Sequence, residues 1–379
     1  MRDRLRPFIW PLVIVLLATG AYALLRHKRT ELVDFEVYRI AAVRALGAQP
    51  LYRVQDGHYQ FKYLPAFALA MAPFALVSKD NAELTWFALS IALTALFVRL
   101  SLRALPDRRM SERQLLWLTL LLNGKFLVKE LAFGQTNLLL GILMIGAVIS
   151  AQKNRRLAAG ALVGLAVFVK PYALVLLPWL VWAQGAPALL AFGGVLTAGL
   201  FVPAAVYGWA GNLDLVMGWY RTVTDTTAPN LLLPENISLA TMWAKWLEPG
   251  AAASTLAAAT AVATLAVAGA VALKRRTVRE PNYLECGLLV LLIPLLSPQG
   301  WDYVLLLGLP AYMCLVDRWR DLSLPWRVAT MAGFILTSFT IFDLMQRFLY
   351  THLMAISGVT LGALLLTASL AHLRWRALA

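Results

Sequence analysis

Apolar runs of 13 to 23 residues recur along almost the whole chain, and short loops rich in Lys and Arg separate many of them. They fall at 7–25, 61–77, 82–100, 114–129, 136–151, 157–169, 171–183, 188–207, 251–273, 283–296, 302–316, 326–343 and 352–372. A lipid core offers the backbone no hydrogen-bond partner, so only helices and closed barrels cross it. The ten-residue alternation of a barrel strand is absent. Composition agrees: 14% of residues are charged and 60% hydrophobic, against roughly 25% charged in a soluble domain. Disorder needs the opposite balance. The expected fold class is an all-α polytopic membrane protein, a single integral domain over 1–379.

The loops set the expected topology. Arg2/Arg4/Arg6, Arg103/Arg108/Arg109/Arg113, Lys153/Arg155/Arg156, Lys274/Arg275/Arg276/Arg279, Arg318/Arg320/Arg327 and Arg374/Arg376 form basic clusters. Lys and Arg collect on the cytoplasmic side of a membrane, which places both termini there. The net charge of +14 then reflects inner loops rather than nucleic acid. Two inner termini require an even number of crossings, so one run is not a full span. The run 61–77 carries Pro65 and Pro73 and reads as a re-entrant or tilted half helix. About twelve crossings remain. The run 7–25 lacks a small-residue cleavage site before Arg26 and reads as an uncleaved first span. The group Arg26/Lys28/Arg29 is left outside. Two outer loops are long, 26–60 and 208–250, and the helices of 251–379 follow them. Inner loops are short, which places the function in the membrane or on its outer face, as in a bacterial plasma-membrane protein.

Several functional classes drop out. No Walker loop, GxGxxG turn or HExxH helix occurs, which argues against an ATP-driven pump and a zincin. No internal repeat supports an inverted-repeat transporter. Cys286 and Cys314 sit in apolar stretches and read as small core residues. The four histidines have no metal-ligand spacing, and no metal or cofactor is expected.

The polar residues near apolar runs carry the functional signal. Phe35, Tyr38, Ala42, Ala45 and Leu46 share a helical face, so 35–46 reads as a short helix along the membrane surface. Asp34 stands at its start, where a carboxylate serves equally as an N-cap or as a general base. Glu36 and Arg39 read as a surface pair of little weight. Lys62 and Tyr63 lie in a Tyr-rich entry to the membrane, where an aromatic belt and a sugar or lipid-phosphate site are both consistent readings. Gln135 and Asn137 open a span, as caps or as partners of sugar hydroxyls. Lys129 and Glu130 read as a pair with each other. Lys170 separates two 13-residue runs and precedes Pro171. Runs of that length cover about 20 Å of a ~30 Å core, which recesses Lys170 at a wet turn suited to an anion. In the second long loop, Arg221 and Asn236 stand out. Trp301, Asp302 and Tyr303 break two late spans, with Asp302 as a helix cap and the aromatics as belt residues.

Taken in order, these pieces resemble the GT-C membrane glycosyltransferases, specifically glycosyltransferase family 87, the polyprenol-phosphate-mannose-dependent type. The resemblance rests on Asp34-Phe35-x-x-Tyr38-x-x-Ala41-Ala42, Leu51-Tyr52, Phe61-x-Tyr63-x-Pro65, Gly134-Gln135-x-Asn137, Ala159-Gly160 with Lys170-Pro171, Asn236-x-Ser238-Leu239, and Leu296-Ser297-Pro298 with Trp301-Asp302-Tyr303. The chain departs from the family pattern at Ala66, where a second proline is common, and at Tyr303, where histidine is common.

The resemblance implies a GT-C-like bundle and inverting transfer of a sugar, mannose or a related hexose or pentose, from a polyprenyl phosphate to a lipid or glycan acceptor. It implies Asp34 as general base. Lys170, Arg221 and Lys62 would bind the donor phosphate, and Tyr38, Tyr63, Gln135, Asn137, Asn236, Trp301 and Asp302 would bind sugar or acceptor. The alternative is a lipid-linked-sugar flippase or other transporter without chemistry.

Overall fold

The structure, a computed structural model, describes residues 32–275 and 281–376. The expected first span 7–25 and the groups at 2–6 and 26–29 lie outside these residues. Among the described residues the chain is almost entirely helical and forms no strand. Three helical stretches are long and apolar enough to cross a membrane: Lys79–Ala104, Pro171–Phe201 and Ala251–Leu273. A fourth is reached if Leu324–Ser338 and Phe342–Ala355, bent by 106°, count as one.

The N-terminal part holds α1 (Val33–Leu46) and two short helices, α2 (Pro65–Ala70) and α3 (Ala72–Ala75). The 61–77 run thus breaks at Met71 into helices of 6 and 4 residues, both too short to cross. Two prolines open these helices because their missing N–H costs nothing in a first turn. α1 buries Phe35, Tyr38, Ala41, Ala42 and Ala45. Leu46, expected on that face, is instead 48% exposed, and Ala41 takes its place. Phe35 stacks on Trp86 at 5.2 Å and meets Phe74 edge-on at 5.4 Å.

The bundle follows as α4 (Lys79–Ala104), α5 (Glu112–Phe133), α6 (Asn137–Gln152) and α7 (Arg156–Val169). A 3₁₀ turn at Pro171–Leu176 and a π turn at Leu180–Gln184 lead into α8 (Gly185–Phe201). A helical stretch over Pro171–Phe201 covers the run 171–183 and most of 188–207, and the chain turns back at Gly185 with φ +73°, because α8 runs parallel to α7, with Ala188 near Gly160 and Gly199 near Phe168. α7 packs on α8 at very short range, because a Cβ on Gly160 would stand 1.9 Å from the Ala188 carbonyl oxygen. Such small-residue contacts let helices approach where lipid removes the usual hydrophobic drive.

The 208–250 loop is mostly helix: α9 (Ala204–Asp225) and α10 (Leu239–Leu247). Then come α11 (Ala251–Leu273), α12 (Pro281–Leu296), α13 (Leu309–Asp317), α14 (Leu324–Ser338), α15 (Phe342–Ala355) and α16 (Gly358–Arg376). Residues 344–351 are helical and lie within α15.

The basic loops gather at one end. The Arg109 and Met110 amides donate to Asp317 at 3.0 and 2.9 Å, and Arg318 donates to the Pro106 carbonyl at 2.9 Å. Gln152 donates to the Ala104 carbonyl at 2.8 Å. Arg275 and Arg374 share Glu285, one residue pair along from Tyr283, whose hydroxyl reaches the Ser101 carbonyl at 3.4 Å. The other ends of α5, α6, α7 and α12 bring Gln135, Asn137, Lys170 and the 297–303 turn together, away from the basic loops.

Candidate active site

The site is built on a glycine. α5 ends at Gly134, whose φ of +69° is left-handed and whose carbonyl accepts Trp86 Nε1–H at 2.9 Å. A Cβ there would stand 2.7 Å from Phe35 Cβ. Only glycine fits both the backbone conformation and the space. This turn sets the next residue, Gln135, against α1.

Gln135 is 4% exposed and is the hub. Its Nε2 donates to Asp34 Oδ2 at 2.6 Å and to the Tyr303 hydroxyl at 3.2 Å. Its Oε1 accepts from Lys170 Nζ at 2.9 Å and from the Tyr38 hydroxyl at 3.3 Å. Lys170 donates a second time, to Asn137 Oδ1 at 2.8 Å. The Asn137 amide donates in turn to Glu130 Oε2 at 2.7 Å, and the Leu138 N–H donates to Glu130 Oε1 at 2.9 Å. Asp34, Gln135, Lys170, Asn137 and Glu130 thus form one continuous network.

Several sequence expectations change here. Asp34 does not cap α1, whose N-cap is Leu32 without a side-chain cap bond; its carboxylate turns to Gln135. Glu130 does not pair with Lys129. It caps α6 from the preceding helix, replacing the expected caps Gln135 and Asn137. Lys170 sits at the turn between α7 and Pro171, 8% exposed, and two of its three N–H groups are taken by amide oxygens. Glu36 and Arg39 do pair, at 2.7 Å.

Tyrosines line the same space. The Tyr38 and Tyr63 hydroxyls lie 2.7 Å apart, and Tyr52 donates to the Tyr63 carbonyl at 2.6 Å. Lys170 Nζ stands 5.9 Å from the ring centres of Tyr63 and Tyr172 and 6.0 Å from that of Tyr303, within cation–π range. Burial pushes the Asp34 carboxyl above its ordinary value of 3.8, opposed by the Gln135 hydrogen bond and the charges of Lys170, Lys62 and His58. Burial likewise pulls the Lys62 ammonium down, and Asp34 partly restores it. Lys62 is half-buried and faces Asp34.

The remaining candidates divide. Asp302 is fully buried and caps nothing; it accepts from Lys125 at 2.9 Å and Lys129 at 2.7 Å. Asn236 is 1% exposed, and its amide donates to the carbonyls of Asn230 at 3.1 Å and Pro298 at 2.9 Å while its oxygen accepts the Ser238 N–H. It ties the end of the second loop to the 297–302 turn, where Trp301 forms the facing bridge. Arg221 is exposed on α9 and takes no part in the network. The residues that sequence reasoning passed over are Tyr303, read only as a belt residue, and Glu130. The signal for Glu130 was a carboxylate one turn before Gly134, and that for Tyr303 was its place at the end of the Trp301-Asp302-Tyr303 break.

The family model of glycosyltransferase family 87 matches residues 61–298. The chain belongs to glycosyltransferase family 87. Among curated proteins none matches the chain. Family membership makes it a glycosyltransferase, which uses a sugar donor and an acceptor, and agrees with the GT-C class read from the sequence. The matched segment contains Lys62, Tyr63, Gln135, Asn137, Lys170, Arg221 and Asn236, whereas Asp34, Tyr38, Trp301 and Asp302 flank it.

Proposed function

We propose that this glycosyltransferase moves a sugar, mannose or a related hexose or pentose, from a polyprenyl-phosphate donor to a lipid or glycan acceptor, with inversion and with Asp34 as general base. The observation that carries the reading is the state of Asp34. Gln135 holds its Oδ2, and among the described residues Oδ1 accepts no hydrogen bond. An open carboxylate oxygen beside cations is what acceptor activation needs.

In the step proposed, the acceptor oxygen attacks the anomeric carbon from the face opposite the phosphate. The bond from the anomeric carbon to the phosphate oxygen breaks, and its electron pair leaves on the polyprenyl phosphate. Asp34 Oδ1 takes the acceptor proton. Lys62, half-buried and facing Asp34, meets the developing phosphate charge, with Lys170 adding its field from behind. Tyr63, half-buried, offers its ring face to the sugar, the buried Tyr38 holds the Tyr63 hydroxyl, and Asn137 holds Lys170. Arg221, Asn236, Trp301 and Asp302 stand back from this chemistry, since their positions are exposed or their groups are engaged elsewhere.

The topology proposed with it is about twelve crossings, with the basic loops in the cytoplasm and the site on the outer face of a bacterial plasma membrane. Convergence of the basic loops at the end opposite Asp34 supports that arrangement. A donor anchored in the outer leaflet reaches such a site without leaving the membrane.

The test is donor consumption by purified protein in nanodiscs, followed by mass spectrometry with a membrane lipid extract as acceptor source. Polyprenyl-phosphate mannose, other polyprenyl-phosphate sugars and nucleotide sugars form the panel. Consumption restricted to polyprenyl-phosphate sugars is expected. Consumption of nucleotide sugars alone, or donor that crosses the bilayer intact with none consumed, would overturn the reading.

A further inference from the structure

We propose that Gln135 is a positioning residue: Lys170 fixes which way its amide faces, and the amide then aims the free oxygen of Asp34 at the acceptor. The inference rests on Asp34 being the general base. An amide side chain can present oxygen or nitrogen to either neighbour, and the choice follows from what the neighbours can do. Lys170 is a donor only, so the face of Gln135 toward it, at 2.9 Å, must be Oε1. Asp34 is an acceptor when ionised, so the face toward it, at 2.6 Å, must be Nε2. The two neighbours agree, and the amide has one orientation.

The surroundings reinforce it. The second hydrogen of Nε2 goes to the Tyr303 hydroxyl at 3.2 Å, and Tyr38 donates to Oε1 at 3.3 Å. Lys170 is anchored from its other side by Asn137, which Glu130 holds. The charged groups facing Asp34 are Lys170, Lys62 and His58, with Glu130 behind Lys170. Gln135 itself is 4% exposed, so it acts on the reaction through Asp34 and not by contact with the sugar.

Two consequences separate this role from bulk packing. Gln135 stabilises the ionised carboxylate, so its loss makes Asp34 easier to protonate. Loss of Lys170 removes the ammonium that holds Oε1 and loosens the amide against Asp34, so it acts on the same step. The effects of Gln135 and Lys170 should be less than additive, because part of the Lys170 effect passes through the Gln135 hydrogen bond and part through its own charge.

The experiment measures pH–rate profiles and donor KM in nanodiscs for wild type, Gln135→Met, Lys170→Met and the double variant, with the donor identified by the panel. Gln135→Met is expected to lower kcat about tenfold or more, move the acid limb to higher pH, and leave donor KM within about twofold. Lys170→Met is expected to move the limb in the same direction, and the double variant to lose less than the product of the two single losses. Should Gln135→Met not fold, Gln135→Glu keeps the size and the Lys170 contact and is expected to move the limb upward by like-charge repulsion. An unmoved limb in a folded Gln135 variant, or strictly additive losses, would overturn the inference. Wild-type turnover by Asp34→Asn would instead remove the base reading beneath it; an inactive Asp34→Asn with an unmoved limb removes only the role of Gln135.

Discussion

Gln135 donates to Asp34 at 2.6 Å across 101 residues of chain, joining the start of α1 to the turn that opens α6. One carboxylate oxygen is thereby fixed, while the other accepts no hydrogen bond among the described residues. A base must be both ionised and aimed, and this single bond bears on both requirements.

The first prediction concerns pH. Burial raises the Asp34 carboxyl above its ordinary 3.8, so the folded enzyme protonates at a higher pH than a free aspartate would. Turnover should fall as pH drops through that raised value, since only the carboxylate accepts a proton. The stability sign is opposite to that of a salt-bridged acid. The folded state binds the proton more tightly than the unfolded state, so this group favours folding most below 3.8 and that contribution is lost as pH rises through the raised value. Asp34→Asn should therefore melt no lower than wild type near neutral pH while losing activity. A lower melting temperature for Asp34→Asn would contradict it.

Asp302 makes a second case, structural in character. Its buried carboxylate carries both Lys125 and Lys129. Removing one partner from a buried ion cluster leaves uncompensated charge and costs about 3–5 kcal/mol. The Lys129 side chain is 26% exposed, so its share is smaller than that of Lys125, at 5%. Asp302→Asn should lower the melting temperature strongly, and Lys125→Met in that background should recover part of the loss. A normal melting temperature with lost sugar transfer would return Asp302 to the sugar-binding set.

Lys62 and Arg221 should part company in a kinetic assay. Lys62 is half-buried and faces Asp34, whereas Arg221 is exposed on α9. Lys62→Met should raise donor KM or lower kcat by about tenfold or more, as loss of a charge-assisted contact does. Arg221→Met should change both by less than about twofold, as exposed charges usually do. Equal effects would mean that α9 swings over the donor.

Gly134 is the most exposed to a small change. Alanine there would hold a left-handed backbone and press on Phe35 Cβ at 2.7 Å. A strained position of this kind costs about 1–3 kcal/mol, and the shift passes directly to Gln135. Gly134→Ala should lower both melting temperature and kcat, whereas Gly193→Ala, with nothing within 4 Å of the added methyl, should change neither.

Much of this was legible from the residues in order. The runs at 82–100 and 251–273 became α4 and α11 because a long apolar stretch has one stable form in lipid. The 61–77 run, read as a re-entrant or tilted half helix, is two short helices that meet at Met71, each with a proline in its first turn. Legibility failed where a partner lay far along the chain. Lys129 stands beside Glu130, yet its partner is Asp302, 173 residues away, because neighbours on a helix face different directions. Asn236 read as a sugar ligand, yet its amide is spent on backbone carbonyls that only the fold brings near. The 208–250 segment read as a loop by its polar residues, although α9 runs through it from a kink at Gly208.

The most direct measurement compares Asp34→Asn with wild type in nanodiscs, scoring sugar transfer from the donor the panel identifies beside donor binding to the same preparations. Transfer reduced by about 10²–10⁴-fold, the usual worth of a general base, with donor binding unchanged is the expected result. Wild-type transfer by Asp34→Asn would contradict it and move the base elsewhere in the site.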